Sequence, residues 1–256
     1  MPSTPARAIE RPSLQLLGTE PWRAAMEFVS HVLHDKPARR SGDGHPVVIF
    51  PGLAADGTTV APLRKYCEAL GYTAFDWGEG RNTGPQGDID AWLAALASRI
   101  SASLSGFDQS ATLIGWSLGG LYAREIAKLL DRRVRQVITI GTPFNALEDH
   151  SNVGWLYRLL GGRASAFDTA LSVRLKTPPT VPTTSIYSRS DGIVAWQTCL
   201  HDDARAIGVQ DIEINGSHIG MGWNRAALEI IADRLAQPPG QWQAYSGRRV
   251  ERKVSA

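Results

Sequence analysis

Three residue types that together make an alcohol reactive recur in this chain at well-separated positions. Ser117 lies within Gly115-Trp116-Ser117-Leu118-Gly119, Asp191 within Ser190-Asp191-Gly192-Ile193-Val194, and His218 within Gly216-Ser217-His218. A serine hydroxyl is a weak nucleophile at neutral pH, and a positioned imidazole base raises its reactivity by about 10²–10⁴-fold. The chemistry at stake is attack on an electrophilic carbon, with a carboxylate orienting the base.

The spacing around Ser117 fits a Gly-x-Ser-x-Gly turn between an apolar strand and a helix. On such a bend the serine occupies a strained backbone region, and its glycine neighbours approach other backbone too closely to carry a side chain. The following helix directs free N–H groups toward developing negative charge. A bare Gly-x-Ser-x-Gly occurs often by chance, so the reading depends on an acid and a base following in that order.

Of the six histidines, His31, His34 and His45 precede the serine, and His150 precedes the acid. His201, in Leu-His-Asp-Asp-Ala-Arg, reads as a solvated residue. Only His218 has a late strand before it and a helix after it. Asp191 follows a strand directly, whereas the rival acids Asp202 and Asp203 stand away from any strand end. His31, His34 and Asp35 resemble a metal-ligand cluster but share one short helical stretch without a further partner, so no metal site is expected. No glycine pattern for phosphate or dinucleotide opens any strand–helix unit, and no cofactor is expected.

The elements that must position these residues alternate from about residue 45. Strands are expected at 45–50, 72–77, 111–115, 134–140, 183–188 and 210–214. Helices are expected at 59–70, 89–104, 119–130 and 226–235, with one further helix ahead of the first strand at 21–34. Strands separated by helices imply a mostly parallel sheet of about six strands covered on both faces, with ligands at the carboxyl ends of the strands. The rhythm breaks at about 145–180, where two short helical patterns flank Gly161-Gly162 and read as a lid over the site. The domain plan is an N-terminal helical extension at 1–41, the α/β domain at 42–238 with the lid insert, and a basic tail at 239–256.

The chain has 256 residues and 43% hydrophobic content, enough for a sizeable core. Lys and Arg number 27 against 25 Asp and Glu, and Arg248, Arg249, Arg252 and Lys253 supply the excess from the last ten residues. The near-neutral body leaves no nucleic-acid footprint, and the basic tail is a candidate only for weak contact with anionic surfaces. Two cysteines, Cys67 and Cys199, make no disulfide framework. No apolar run approaches the ~20 residues of a membrane span and no secretory signal stands at the N-terminus, so a cytoplasmic location is expected.

With these residues in place, the chain resembles the α/β-hydrolase superfamily in its small bacterial lipase and esterase branch, over about residues 45–236. The resemblance rests on the turn at 115–119, Ser-Asp-Gly-Ile-Val at 190–194 and Gly-Ser-His at 216–218. It implies that Ser117 attacks an ester carbonyl, that His218 relays the proton, and that Asp191 fixes the imidazole. It also implies an oxyanion hole made by the N–H groups of Leu53 and Leu118. The chain departs from the family at Pro51-Gly52-Leu53, where His-Gly is usual. The implied activity is hydrolysis of carboxylic esters with hydrophobic acyl groups through an acyl-enzyme. The alternatives are an acyltransferase or thioesterase with the same residues, or a non-catalytic binding protein of this fold. Trp116, Trp155, Trp196 and Trp223 are candidates to line an acyl or aromatic pocket, or else to pack in the core; Leu156, Leu159 and Leu160 would give the insert an apolar underside.

Overall fold

The computed structural model describes residues 9–34, 42–145, 169–203, 206 and 208–247. Six strands form one all-parallel sheet in the order β2-β1-β3-β4-β5-β6. They are β1 (Pro46–Phe50), β2 (Thr73–Asp76), β3 (Ala111–Trp116), β4 (Val134–Ile140), β5 (Thr183–Ser188) and β6 (Val209–Ile214). Alternation along the strands sends side chains to two cores. Val48, Phe50 and Leu113 pack against helices α3 (Ile89–Ser103) and α4 (Leu118–Leu130) on one face. Val47, Ile49 and Ile114 pack on the other face with α2 (Ala61–Ala69) and the last helix, α6 (Arg225–Leu235). Strands buried on both faces read as unbroken apolar runs, which is why β1, β3 and β4 are visible in the sequence.

Helix starts follow local chemistry. Asp88 caps α3 by accepting the N–H of Ala91 at 2.8 Å, and Asn224 caps α6 by accepting those of Ala226 and Ala227. Cys67 is fully buried on the inner stripe of α2, where burial pushes its thiol up to about 12, and both cysteines are free. Helix α1 (Leu14–His34) starts seven residues before the expected position at Pro21. Proline is common at a helix start, but here Ser13 caps the helix earlier by accepting the N–H of Leu16, and Pro21 sits inside it.

Helix α1 is turned unusually. Trp22, Met26, Val29 and Leu33 point outward and are exposed, while Glu20 is buried. The expected lid at 145–180 falls mostly on 146–168, outside the described residues. Its last part is α5 (Thr169–Lys176), the fifth helix among the described residues, whose end is held to α4 by Arg124, which donates to the carbonyls of Leu175 and Lys176. The tail beyond residue 247 also lies outside the described residues.

Candidate active site

Strand β3 runs into α4 through Ser117, whose φ of 54° and ψ of −124° place a non-glycine residue in a sterically costly region. The surroundings force that turn. The Ser117 N–H donates to the carbonyl of Ile140 at the end of β4, 2.8 Å away. A side chain at Gly115 would collide with the Gly120 backbone, and a Cβ at Gly119 would lie 2.5 Å from the Pro51 carbonyl oxygen. The glycines therefore let α4 start directly beneath the end of β1. Gly52 closes the other side, where a Cβ would stand 3.2 Å from that of Ser117.

The carbonyl and amide groups of the 51–55 loop are anchored by Asn82, a fully buried residue that sequence reasoning passed over. Its side-chain amide donates to the Pro51 carbonyl at 2.8 Å, and its backbone carbonyl accepts from the Ala54 N–H at 2.7 Å. This bracing sets the backbone of the loop whose Gly52 lies against Ser117 and whose next residue is Leu53. Leu118, the other residue expected to offer an N–H, is the first residue of α4, where backbone donors have no partner within the helix.

Asp191 and His218 meet. Asp191 Oδ2 lies 2.6 Å from His218 Nδ1, and its Oδ1 accepts the N–H groups of Ile193 and Val194. Both residues are nearly inaccessible, Asp191 at 3% and His218 at 5%. Burial alone would drive the His218 pKa down; the charge and hydrogen bond of Asp191, helped by the Glu20 carboxylate, outweigh it and hold the imidazole above its ordinary 6.5. The ring is seated among the neighbours of Ser117. The Trp116 indole N–H donates to the His218 carbonyl at 3.1 Å, and Gly141, next after β4, has no room for a Cβ against the imidazole. With Nδ1 occupied by the carboxylate, Nε2 is the nitrogen available for proton transfer.

His201 corrects the expectation that it is solvated: it is 7% exposed and forms a second buried His–Asp pair, Nδ1 to Asp211 Oδ1 at 2.6 Å. Its Nε2 faces the guanidinium of Arg124 at 2.9 Å, so that nitrogen accepts and the ring is neutral. Burial and the neighbouring Arg124 lower its pKa against the opposing pull of Asp211. Asp202 accepts from the Asn145 side chain at 2.7 Å and takes no part in the Asp191–His218 pair.

The four tryptophans separate. Trp223 borders a groove of about 710 Å³, with Ala25 and Phe28 of α1, Pro62 of α2, and Ile219, the residue after His218. Trp116 is packed edge-on against Trp223 and braces His218. Trp196 stacks on Tyr187 with Arg189 over its ring. Trp155 and the leucines at 156, 159 and 160 lie outside the described residues. Among the described residues no group of His, Cys, Asp and Glu could hold a metal ion, and no helix is long and apolar enough to cross a membrane.

No protein-family model matches the chain. Over 113 residues it is 31% identical to the pimeloyl-[acyl-carrier protein] methyl ester esterase of Shewanella woodyi, which covers 43% of this chain and 41% of that protein. The chain spans less than half the length of the curated relatives it matches. Among solved structures, Aspergillus fumigatus lipase B superposes with a TM-score of 0.59 at 20% identity, over 79% of this chain and 54% of that one. An α/β superfamily hydrolase from Oenococcus oeni gives 0.53 at 16% identity, over 77% and 94%. The six-stranded parallel sheet, its helices on both faces and these superpositions establish that the chain has the α/β-hydrolase fold.

Proposed function

We propose that the protein is a serine hydrolase that cleaves carboxylic esters with hydrophobic acyl groups through an acyl-enzyme. The observation that carries this reading is the Asp191–His218 contact at 2.6 Å, seated against the strained turn that presents Ser117. In this mechanism Ser117 Oγ attacks the acyl carbon while His218 Nε2 takes its proton. The N–H groups of Leu53 and Leu118 receive the oxyanion. His218 then returns the proton to the leaving alcohol, and water repeats the sequence to free the acid. Asp191 orients the imidazole and stabilises the imidazolium. The esterase and lipase among the similar proteins support the reaction class, and the apolar groove beside Ile219 supports a water-poor acyl or alcohol group.

The test uses a serine-directed fluorophosphonate and a series of p-nitrophenyl esters of rising acyl length. The expected result is one phosphonyl adduct on Ser117 and turnover that increases from acetate toward medium-chain esters. A folded protein that forms no adduct and turns over none of the esters overturns the reading in favour of a binding protein. Adding competing alcohols and thiols separates hydrolysis from acyl transfer by the products formed.

A further inference from the structure

From the contacts of α1, we infer that Glu20 is a positioning residue for catalysis: its carboxylate clamps the loops carrying the acid and the base into one arrangement. The inference rests on the reading of Ser117, Asp191 and His218 as the reacting groups. Glu20 is 1% exposed and stands 172 residues from Gly192 and 198 from His218 in sequence. Its Oε1 accepts the N–H of Gly192 at 2.7 Å and that of His218 at 3.0 Å, and its Oε2 accepts the N–H of Ile219 at 3.1 Å. One oxygen atom thus joins the residue after the acid to the base itself, and so sets the distance between the two backbones whose side chains meet.

A buried carboxylate is costly unless hydrogen bonds replace its water. Here three backbone donors do so, with the Arg23 guanidinium 3.8 Å away. The rest of the same helix face is built to match. Arg23 donates to the carbonyl of Ser190 at 2.6 Å, just before the acid, and the Ala24 carbonyl accepts from the Trp223 indole at 3.0 Å. Glu27 accepts the N–H of Ser217 at 2.7 Å, just before the base. Residues three and four apart share one helix face, so a single side of α1 reads both loops.

Two glycines, one in the 190–194 stretch and one two residues after His218, make room for it. A Cβ at Gly192 would lie 2.6 Å from the Leu16 carbonyl carbon and oxygen, and one at Gly220 would collide with the Glu27 carboxylate. A helix whose charges turn inward and whose apolar residues turn outward is not explained by core packing. The polar clamp explains it.

The charged groups around His218 are Asp191 on its ring and Glu20 on its backbone, with Glu27 one residue away and Arg23 behind Glu20. Replacing Glu20 by glutamine keeps the shape but removes the charge and one of the two acceptor oxygens. For Glu20→Gln, kcat on a short p-nitrophenyl ester is expected to fall about 10²-fold, as displacement of reacting groups by an ångström does, with KM within about twofold. The acidic limb of the pH profile of kcat/KM moves to lower pH, because one negative charge that favours imidazolium is gone. Glu20→Asp keeps the charge but shortens the reach, so the limb stays in place while kcat falls at least about tenfold.

Circular dichroism and thermal melting establish that each variant is folded; if Glu20→Gln fails to fold, Glu20→Asp alone decides. Wild-type kcat in whichever folded variant decides, or a Glu20→Gln limb that does not move, overturns the inference and reduces Glu20 to a docking contact of α1. A wild-type protein that forms no Ser117 adduct defeats the functional reading instead, so the two failures are distinguishable.

Discussion

Asp191 and His218 lie 27 residues apart in the chain and 2.6 Å apart in space, side chain to side chain, at the ends of neighbouring strands β5 and β6. His201 and Asp211 have the same separation, 2.6 Å, yet Arg124 fills the second imidazole nitrogen there. In the first pair Nε2 has no such cation against it, and the ring lies by Trp116, the residue before Ser117.

Substituting Ser117→Ala or His218→Ala is expected to lower kcat on p-nitrophenyl butyrate by roughly 10⁴-fold or more, and the double variant to be no worse than the poorer single one. Steady-state kinetics of the three proteins measure this. Independent, additive losses would show that the two residues do not act as one unit.

The pH dependence follows from the raised His218 pKa. The base must be neutral to accept the Ser117 proton, so kcat/KM should rise with pH through an apparent pKa above the ordinary 6.5. In Asp191→Asn the carboxylate that favours imidazolium is lost, so the residual limb shifts downward and kcat drops by about 10⁴-fold. An unchanged limb in that variant would remove Asp191 from its assigned role.

The buried His201–Asp211–Arg124 cluster should matter to stability and not to chemistry. Removing the neutral imidazole leaves the buried Asp211 carboxylate and Arg124 guanidinium without the hydrogen-bond partner between them, so His201→Ala is expected to cost about 3 kcal/mol in urea unfolding. Its folded fraction should keep kcat within about threefold, since the cluster is separate from the Asp191–His218 pair. A collapse of kcat in folded His201→Ala would make the second pair part of the machinery.

Acid stability has a predictable sign. The pKa values of His45 and His201 are both lowered in the folded state, chiefly by burial, so below the ordinary 6.5 the unfolded chain binds more protons than the native one. Stability therefore falls as the pH drops below 6.5. His218, whose pKa is raised, contributes stability that is fully present below 6.5 and lost as pH rises through its folded value. Melting temperatures across pH 5–8 test both signs, and a His201→Gln background should flatten the acidic slope.

The groove beside Ile219 predicts a separable effect on specificity. Ala25 is exposed on its wall, so Ala25→Trp should fill part of the 710 Å³ without touching the reacting groups. Turnover of decanoate esters is expected to fall at least about tenfold relative to acetate esters, as loss of one well-filled apolar contact allows. Equal losses on short and long esters would mean that the groove does not hold the chain.

The sequence by itself determined β1, β3 and β4, because a sheet covered on both faces demands unbroken apolar runs there, and the alternation with helices located the other three strands. It also determined the bend at Ser117, since glycines at 115 and 119 with a strand before and a helix after leave few other turns open. Asp191 and His218 were legible for a related reason: each follows a strand end, and parallel strands deliver such residues to one edge. What only the tertiary structure decided are relationships with no fixed spacing. The burial of His201 depends on Arg124 and Asp211 arriving from other elements. The bracing of the 51–55 loop depends on Asn82, and the hydrogen bonds that join the loops of Asp191 and His218 depend on Glu20 in a helix that local signals start at Pro21. A lone polar residue in a sequence carries no record of whether backbone donors from distant loops will surround it. Folding brings those donors together, and the cost of burying charge then makes their arrangement specific.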